Sequence, residues 1–155
     1  MNAILGNADI GRKNIWLGLI LFLVLGVVIG MPLTVDMFGG SLLTSEQYQS
    51  WKVIHGYSVF LAFINYFLGL AIDQFGMSRR QKEVVSWSFL LAGLVGGAGR
   101  MTLALLSSLD QFGRPVSLVE TALFVLGTVV LVLGQTQQPA VRPQETLQSQ
   151  RAHAG

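Results

Sequence analysis

Residues 51–72 read WKVIHGYSVFLAFINYFLGLAI, with one lysine near the start and neither an acidic residue nor a proline. An α-helix of about 20 apolar residues crosses a hydrocarbon core ~30 Å thick at 1.5 Å per residue. In lipid every backbone N–H and C=O must be satisfied within the segment, so such a run is helical. His55, Ser58, Ala62, Asn65 and Gly69 recur in it at steps of three and four. At about 100° per residue they share one face, within an arc of roughly 80°. Val59, Phe60, Phe63, Ile64 and Phe67 occupy the other faces. One polar-and-small stripe on an otherwise greasy helix faces protein, not lipid.

Three further apolar runs, 15–31, 84–106 and 116–134, have the same character. The reading is therefore an all-α integral membrane four-helix bundle, a single four-span domain over 1–134 (spans 15–31, 51–72, 84–106 and 116–134). Composition agrees: 52% of residues are hydrophobic and 12% charged, against about 25% charged in soluble domains. With no cysteine, disulfide scaffolds, thiolate metal sites, iron–sulfur clusters and c-type haem attachment are excluded. The ten Lys and Arg residues are scattered and form no basic patch of the kind nucleic acid requires. Arg12 and Lys13 before the first run resemble the start of a secretory signal. Pro32-Leu33-Thr34-Val35 offers no small-residue cleavage site, so the run reads as a retained span.

Basic residues set the topology. Arg12 and Lys13 precede span one; Arg79, Arg80 and Lys82 lie between spans two and three; Arg142 and Arg151 follow span four. Both termini are expected to be cytoplasmic, in a bacterial-type inner (cytoplasmic) membrane. Trp16 and Trp87 then fall at the inner interface and Trp51 at the outer one. The segment 135–155, which holds His153, is rich in Gln, Pro, Ala and Ser and is expected to be a disordered cytoplasmic tail. The outer loop 32–50 carries Phe38, Gly39, Gly40, Leu42, Leu43 and Tyr48, and reads either as a lid over the bundle or as a mobile loop.

The few intramembrane polar groups are the informative ones. Span three carries Gly93, Gly97, Arg100, Ala104 and Ser107 on one stripe, with Gly96 and Gly99 alongside; small residues at this spacing let helix backbones approach closely. Span four has Glu120, Phe124, Gly127, Leu131 and Gly134 on a common face. Gly26 and Gly30 of span one suggest packing only. By residue count His55, Arg100 and Glu120 reach similar depths in the outer half, and Asn65 lies nearer the midplane. An intramembrane charge costs at least ~2.5–3.5 kcal/mol and is normally paired. An Arg100–Glu120 ion pair with His55 nearby is expected. The competing readings are a helix–helix clamp for the pair, a carbonyl hydrogen bond for His55, an interhelical bond for Asn65 and a lipid-facing place for Tyr57. With one histidine in the spans, a single chain cannot supply two axial imidazoles. Were haem bound, His55 would be its proximal ligand, leaving one iron face open. Ser58, Ala62, Gly93, Gly96 and Gly97 would make room for a flat macrocycle or, equally, form close helix contacts.

The order of features resembles small four-span membrane isomerases of the styrene oxide isomerase and hydroxylaminobenzene mutase type. The shared features are Gly26-Val27-Val28-Ile29-Gly30, Phe38-Gly39-Gly40, Trp51-Lys52-Val53-Ile54-His55-Gly56 and Leu70-Ala71-Ile72-Asp73 before a basic turn, over most of 15–134. The resemblance implies trimers, with b-haem (heme b) bound by His55 as the metal ligand and Ser58, Ala62 and Gly97 around it. It implies an iron that grips an epoxide oxygen as a Lewis acid, opening the C–O bond for a 1,2-hydride shift to an aldehyde. Two positions depart from the pattern: Leu61-Ala62 stands where the family places Asn-Gly, and Arg100 occupies the region of a family tyrosine. Asn65, one turn deeper on much the same face, takes the asparagine's place, giving Asn65, Arg100 and Glu120 as expected catalytic groups. The expected function is thus a haem-binding membrane protein, an isomerase or mutase acting on a small apolar substrate. The alternative is a non-catalytic subunit or assembly factor within a larger membrane complex. No inverted repeat or broken-helix pair points to a transporter.

Overall fold

The protein is described by a computed structural model covering residues 9–105 and 111–136. Ser107, Leu106 and the tail from 137 onward, His153 included, lie outside the described residues. Every regular element among the described residues is helical, and four helices are long and apolar enough to cross a membrane. They are α1 (Arg12–Met37), α2 (Ser45–Gln74), α3 (Arg79–Leu103, helical on to Leu105) and α4 (Gly113–Thr136).

Local chemistry fixes where the helices begin. Thr44 and Gln47 form a reciprocal capping box, Gln47 N–H donating to Thr44 Oγ1 at 3.2 Å and Thr44 N–H to Gln47 Oε1 at 2.9 Å. Ser78 and Gln81 do the same for α3. Each box satisfies donors that a helix start otherwise leaves unpaired. The start of α1 is capped from a distance: the Asp73 carboxylate, at the end of α2, accepts from the N–H groups of Ile10 and Gly11 at 3.2 and 3.1 Å.

Pairs α1/α2 and α3/α4 pack most intimately, and glycine makes both approaches possible. A Cβ added at Gly18 would lie 2.7 Å from Ala62 O, and one at Gly69 would lie 2.7 Å from Gly11 O. In the other pair, a Cβ at Gly127 would meet the Phe89 ring at 2.8 Å. Two small buried clusters sit between the pairs: Leu21, Leu25, Ala62 and Met101, and Ile72, Met77, Val85 and Phe89. The outward faces stay apolar, with Leu118 71% and Leu23 58% exposed.

The structure differs from the sequence reading at Pro32, which does not end α1. Residues Phe22–Val28 form a widened π-helical turn, with Ile29 N–H reaching Val24 O at 3.2 Å. Proline in a helix removes a donor and crowds the carbonyl four residues back; a wider turn just before it makes room, and the helix continues to Met37. Since α2 starts at Ser45, the long outer loop shrinks to 38–44. There Asp36 accepts from Leu42 N–H at 2.7 Å and Leu43 N–H at 2.9 Å, closing the turn past Gly39 at φ +93°. Phe38 is 80% exposed and Leu42 63%. The segment does not fold over the bundle as a lid.

Candidate functional site

Glu120 lies seven residues into α4 and is 1% exposed. A carboxylate buried that deeply needs partners for both oxygens, and three elements supply them. Arg100 of α3 donates from Nε at 3.0 Å and Nη2 at 2.8 Å to Oε2. Tyr57 of α2 donates its hydroxyl to Oε1 in a short hydrogen bond. The guanidinium also lies over the Tyr57 ring, 4.8 Å from its centroid. Gly96 provides the space, for a Cβ there would fall 2.2 Å from Glu120 Oε1. Because α4 starts at Gly113, Glu120 sits about two turns in and beyond the first-turn reach of the helix dipole. Its charge is held by Arg100 and Tyr57.

The expected Arg100–Glu120 pair is therefore formed, but His55 is not its companion. Residues 55 and 57 are about 200° apart around α2, so Tyr57 faces Glu120 while His55 faces α1. His55 Nδ1 lies 2.9 Å from Leu25 O. A carbonyl only accepts, so the ring nitrogen donates, and in the neutral imidazole this puts the proton on Nδ1 and the lone pair on Nε2. The α1 backbone takes a competing donor away from this acceptor. In an α-helix Ile29 N–H would bond Leu25 O, but in the π turn it bonds Val24 O. The Cε1–Nε2 edge of the ring rests against Gly30, where a Cβ would be 2.8 Å from Cε1 and 3.3 Å from Nε2. Here the imidazole borders an open groove of about 460 Å³ lined by Gly26, Val27, Gly30, Met31, Thr34 and Val35.

The remaining expected site residues divide. Ser58, one turn beyond His55, is buried, and its Oγ is the only buried side-chain polar atom without a hydrogen-bond partner among the described residues. Ala62 is packed into the cluster with Leu21, Leu25 and Met101. Gly97 faces Leu25 and Leu21, where a Cβ would make ordinary contacts at 3.4–3.8 Å. None of Ser58, Ala62 and Gly97 lines the His55 groove. Asn65 belongs to a separate polar clasp, donating to Leu61 O and Phe89 O, both at 3.1 Å, and accepting from Asn14 Nδ2 at 3.0 Å. Asn14 also donates to Ser86 O at 2.9 Å and accepts from Ser86 Oγ. With Asn14, Asn65 and Ser86 all fully buried, this clasp ties α1, α2 and α3 together.

Sequence reasoning thus missed Tyr57, Asn14 and Ser86. Tyr57 lies off the α2 stripe, and Asn14 abuts the basic pair Arg12-Lys13, where a polar residue looks solvated. Chemically, the arrangement offers a tautomer-fixed imidazole at an open apolar groove, an orphaned hydroxyl one turn away, and a carboxylate neutralised by arginine. Among the described residues no three His, Cys, Asp or Glu side chains converge to hold a bare metal ion. A metal at His55 would have that one protein ligand, which is what an iron already held by a macrocycle requires. No family model matches this chain, and neither the curated proteins nor the solved structures contain a match to it.

Proposed function

We propose that this chain is a four-span integral membrane protein that holds haem b through His55 and acts as an isomerase or mutase on a small apolar substrate. The observation that carries the reading is the Nδ1–H···O=C bond from His55 to Leu25 at 2.9 Å. Metal-binding histidines nearly always donate their second ring N–H to a carbonyl or carboxylate, which orients the ring and raises the basicity of the ligating nitrogen. The π turn has diverted the helical donor that would otherwise share Leu25 O, and such turns gather at functional sites. Gly26 and Gly30 keep the adjacent groove open, and its lining carries no charged side chain.

When bound, haem would supply a Lewis-acidic iron able to polarise the oxygen of an epoxide or related substrate. The chain's own part is to hold Nε2 toward the groove and to keep water scarce with apolar walls. Arg100, Glu120 and Tyr57 set the position of α4 against α2 and α3; Asn65 does so for α1. The basic residues Arg12, Lys13, Arg79, Arg80 and Lys82 at one end support a cytoplasmic placement of that end, in an inner-membrane setting. An open lateral groove supports a homo-oligomer, a trimer by the resemblance, in which a second copy covers it.

One observation favours the second reading, a non-catalytic membrane subunit. The Arg100–Glu120–Tyr57 and Asn14–Asn65–Ser86 clusters satisfy one another internally, as helix clamps do. The visible spectrum of the detergent-purified protein separates the two. Haem binding predicts a Soret band that is lost in His55→Ala and weakened in Gly30→Val, whose side chain would occupy the space beside the ring. A colourless protein after haem supplementation, or a band unchanged in His55→Ala, would eliminate the haem reading and leave the subunit.

A further inference from the structure

The starts of α1 and α3 lie side by side and bound a second cleft, of about 380 Å³, lined by Asp9, Arg12, Lys13, Arg79, Glu83 and Trp87. Its charges are unevenly committed. Arg79 is paired to Asp9 at 3.5 Å and Glu83 at 3.2 Å, while Asp73 is taken by the N–H groups of Ile10 and Gly11. Lys82 Nζ donates to the Asp73 carbonyl at 2.7 Å, which leaves its charge uncompensated. Lys13 Nζ lies 4.1 Å above the centre of the Trp87 ring. Arg12 and Arg80 are exposed and enter no ion pair among the described residues. The start of α3 is already capped by Ser78 and Gln81, and the cleft's excess of cations is what an anion would meet.

The surroundings of the cleft are apolar and aromatic. Trp16 follows Arg12 by one turn and is 53% exposed; Trp87 follows Glu83 by one turn and is 52% exposed. Below Trp16 on the same face, Ile20 and Leu23 are exposed as well. Cations at a helix end, indoles one turn in and an aliphatic strip beyond them match the layers of a lipid: phosphate, interface and acyl chain. Basic clefts between helices on the cytoplasmic side bind anionic headgroups.

The geometry points to a binding site for one anionic glycerophospholipid, its phosphate held by Arg12 and Lys13 and its chains along Trp16, Ile20 and Leu23. Arg12 can meet two phosphate oxygens with its planar fork, and Lys13 adds a point charge already oriented by Trp87. This rests on the membrane-spanning part of the proposed function and not on haem.

The test is native mass spectrometry of the full chain released from micelles containing equal amounts of phosphatidylglycerol and phosphatidylcholine. The wild type is expected to retain phosphatidylglycerol preferentially. Arg12→Gln should lower the preference about fivefold, and Arg12→Gln/Lys13→Gln about 25-fold, at roughly fivefold per basic side chain. Lys52→Gln, near the opposite end, should leave it unchanged. Arg12 enters no ion pair among the described residues, so the single variant should fold even if the double one does not. Equal retention of the two lipids, or an undiminished preference in Arg12→Gln, would overturn the site. Displacement of phosphatidylglycerol by inorganic phosphate at matched concentration would overturn the lipid as its ligand. Failure to enter vesicles of either composition would instead refute the membrane reading itself.

Discussion

Gly96 and Gly97 are adjacent and chemically identical, yet replacing each with alanine should move stability in opposite directions. A Cβ at Gly96 would lie 2.2 Å from Glu120 Oε1 and 2.5 Å from its Cδ. Ordinary contact begins near 3.4 Å, so the carboxylate must retreat by about 1.2 Å. That movement stretches the 2.8 and 3.0 Å bonds from Arg100 toward 4 Å, beyond hydrogen-bond range. A hydrogen bond to a charged group is worth about 1.5–3 kcal/mol. Alanine's better helix propensity returns about 1 kcal/mol, for a net loss of about 2 kcal/mol when the Arg100 contact is sacrificed. At Gly97 the nearest atoms are Leu25 Cδ1 at 3.4 Å and Leu21 Cδ2 at 3.6 Å. The propensity gain stands there nearly unopposed, so stability should rise by up to ~1 kcal/mol. At about 2–4 °C per kcal/mol for a chain of this size, the two variants should differ by about 6–12 °C in Tm. Thermal unfolding in detergent, followed by the fluorescence of the three tryptophans, measures this directly. A Gly96→Ala variant as stable as Gly97→Ala would show that Gly96 does not make the space Glu120 occupies.

Other substitutions separate the polar groups by role. Arg100→Leu leaves Glu120, whose side chain is 2% exposed, without its counter-charge and should cost about 3 kcal/mol, the low end for a broken buried pair because Tyr57 still donates. Arg100→Leu/Glu120→Leu should recover most of that in the same unfolding assay; a double variant as unstable as the single one contradicts the pairing. Tyr57→Phe removes one donor to a buried acceptor and should lower stability by about 1–2 kcal/mol; no change in Tm would place Tyr57 outside the cluster. Asn65→Ala should cost about 1–2 kcal/mol by leaving Asn14 and the Phe89 carbonyl partly unpaired. It should leave any Soret band in place, and a lost band with an unchanged Tm would return Asn65 to the cofactor site.

The four helices were legible because length and hydropathy are long-range averages that a single residue cannot disturb. Helix boundaries were less so, for reasons visible at particular residues. Hydropathy begins α2 at Trp51, whereas Thr44 and Gln47 begin it at Ser45 through a capping box that apolar counting does not weigh. Pro32 reads as a stop only if the preceding turn is α-helical, and it is not. In the site, the Arg100–Glu120 pair was readable because charges in these spans are so few that partners are nearly forced. Tyr57 was not, since attention to one stripe of α2 hides that the helix serves two neighbours on opposite faces. The His55–Leu25 bond needs a backbone acceptor, and no side-chain pattern announces one.

That acceptor is where the fold and the site meet. Two of the helices carry π turns, at Phe22–Val28 and Leu94–Gly99, and each adjoins a group that α2 reaches. The first releases Leu25 O to His55; the second contains Gly96, the slot for the carboxylate that Tyr57 contacts. Both turns are glycine-bearing, Gly26 in one and Gly96, Gly97 and Gly99 in the other. In a regular helix Ile29 N–H would share Leu25 O with His55 Nδ1; the π turn moves that donor to Val24 O. The two turns therefore place a backbone oxygen beside His55 and a side-chain-free slot beside the carboxylate that Tyr57 contacts, one on each of the two faces that α2 presents to its neighbours.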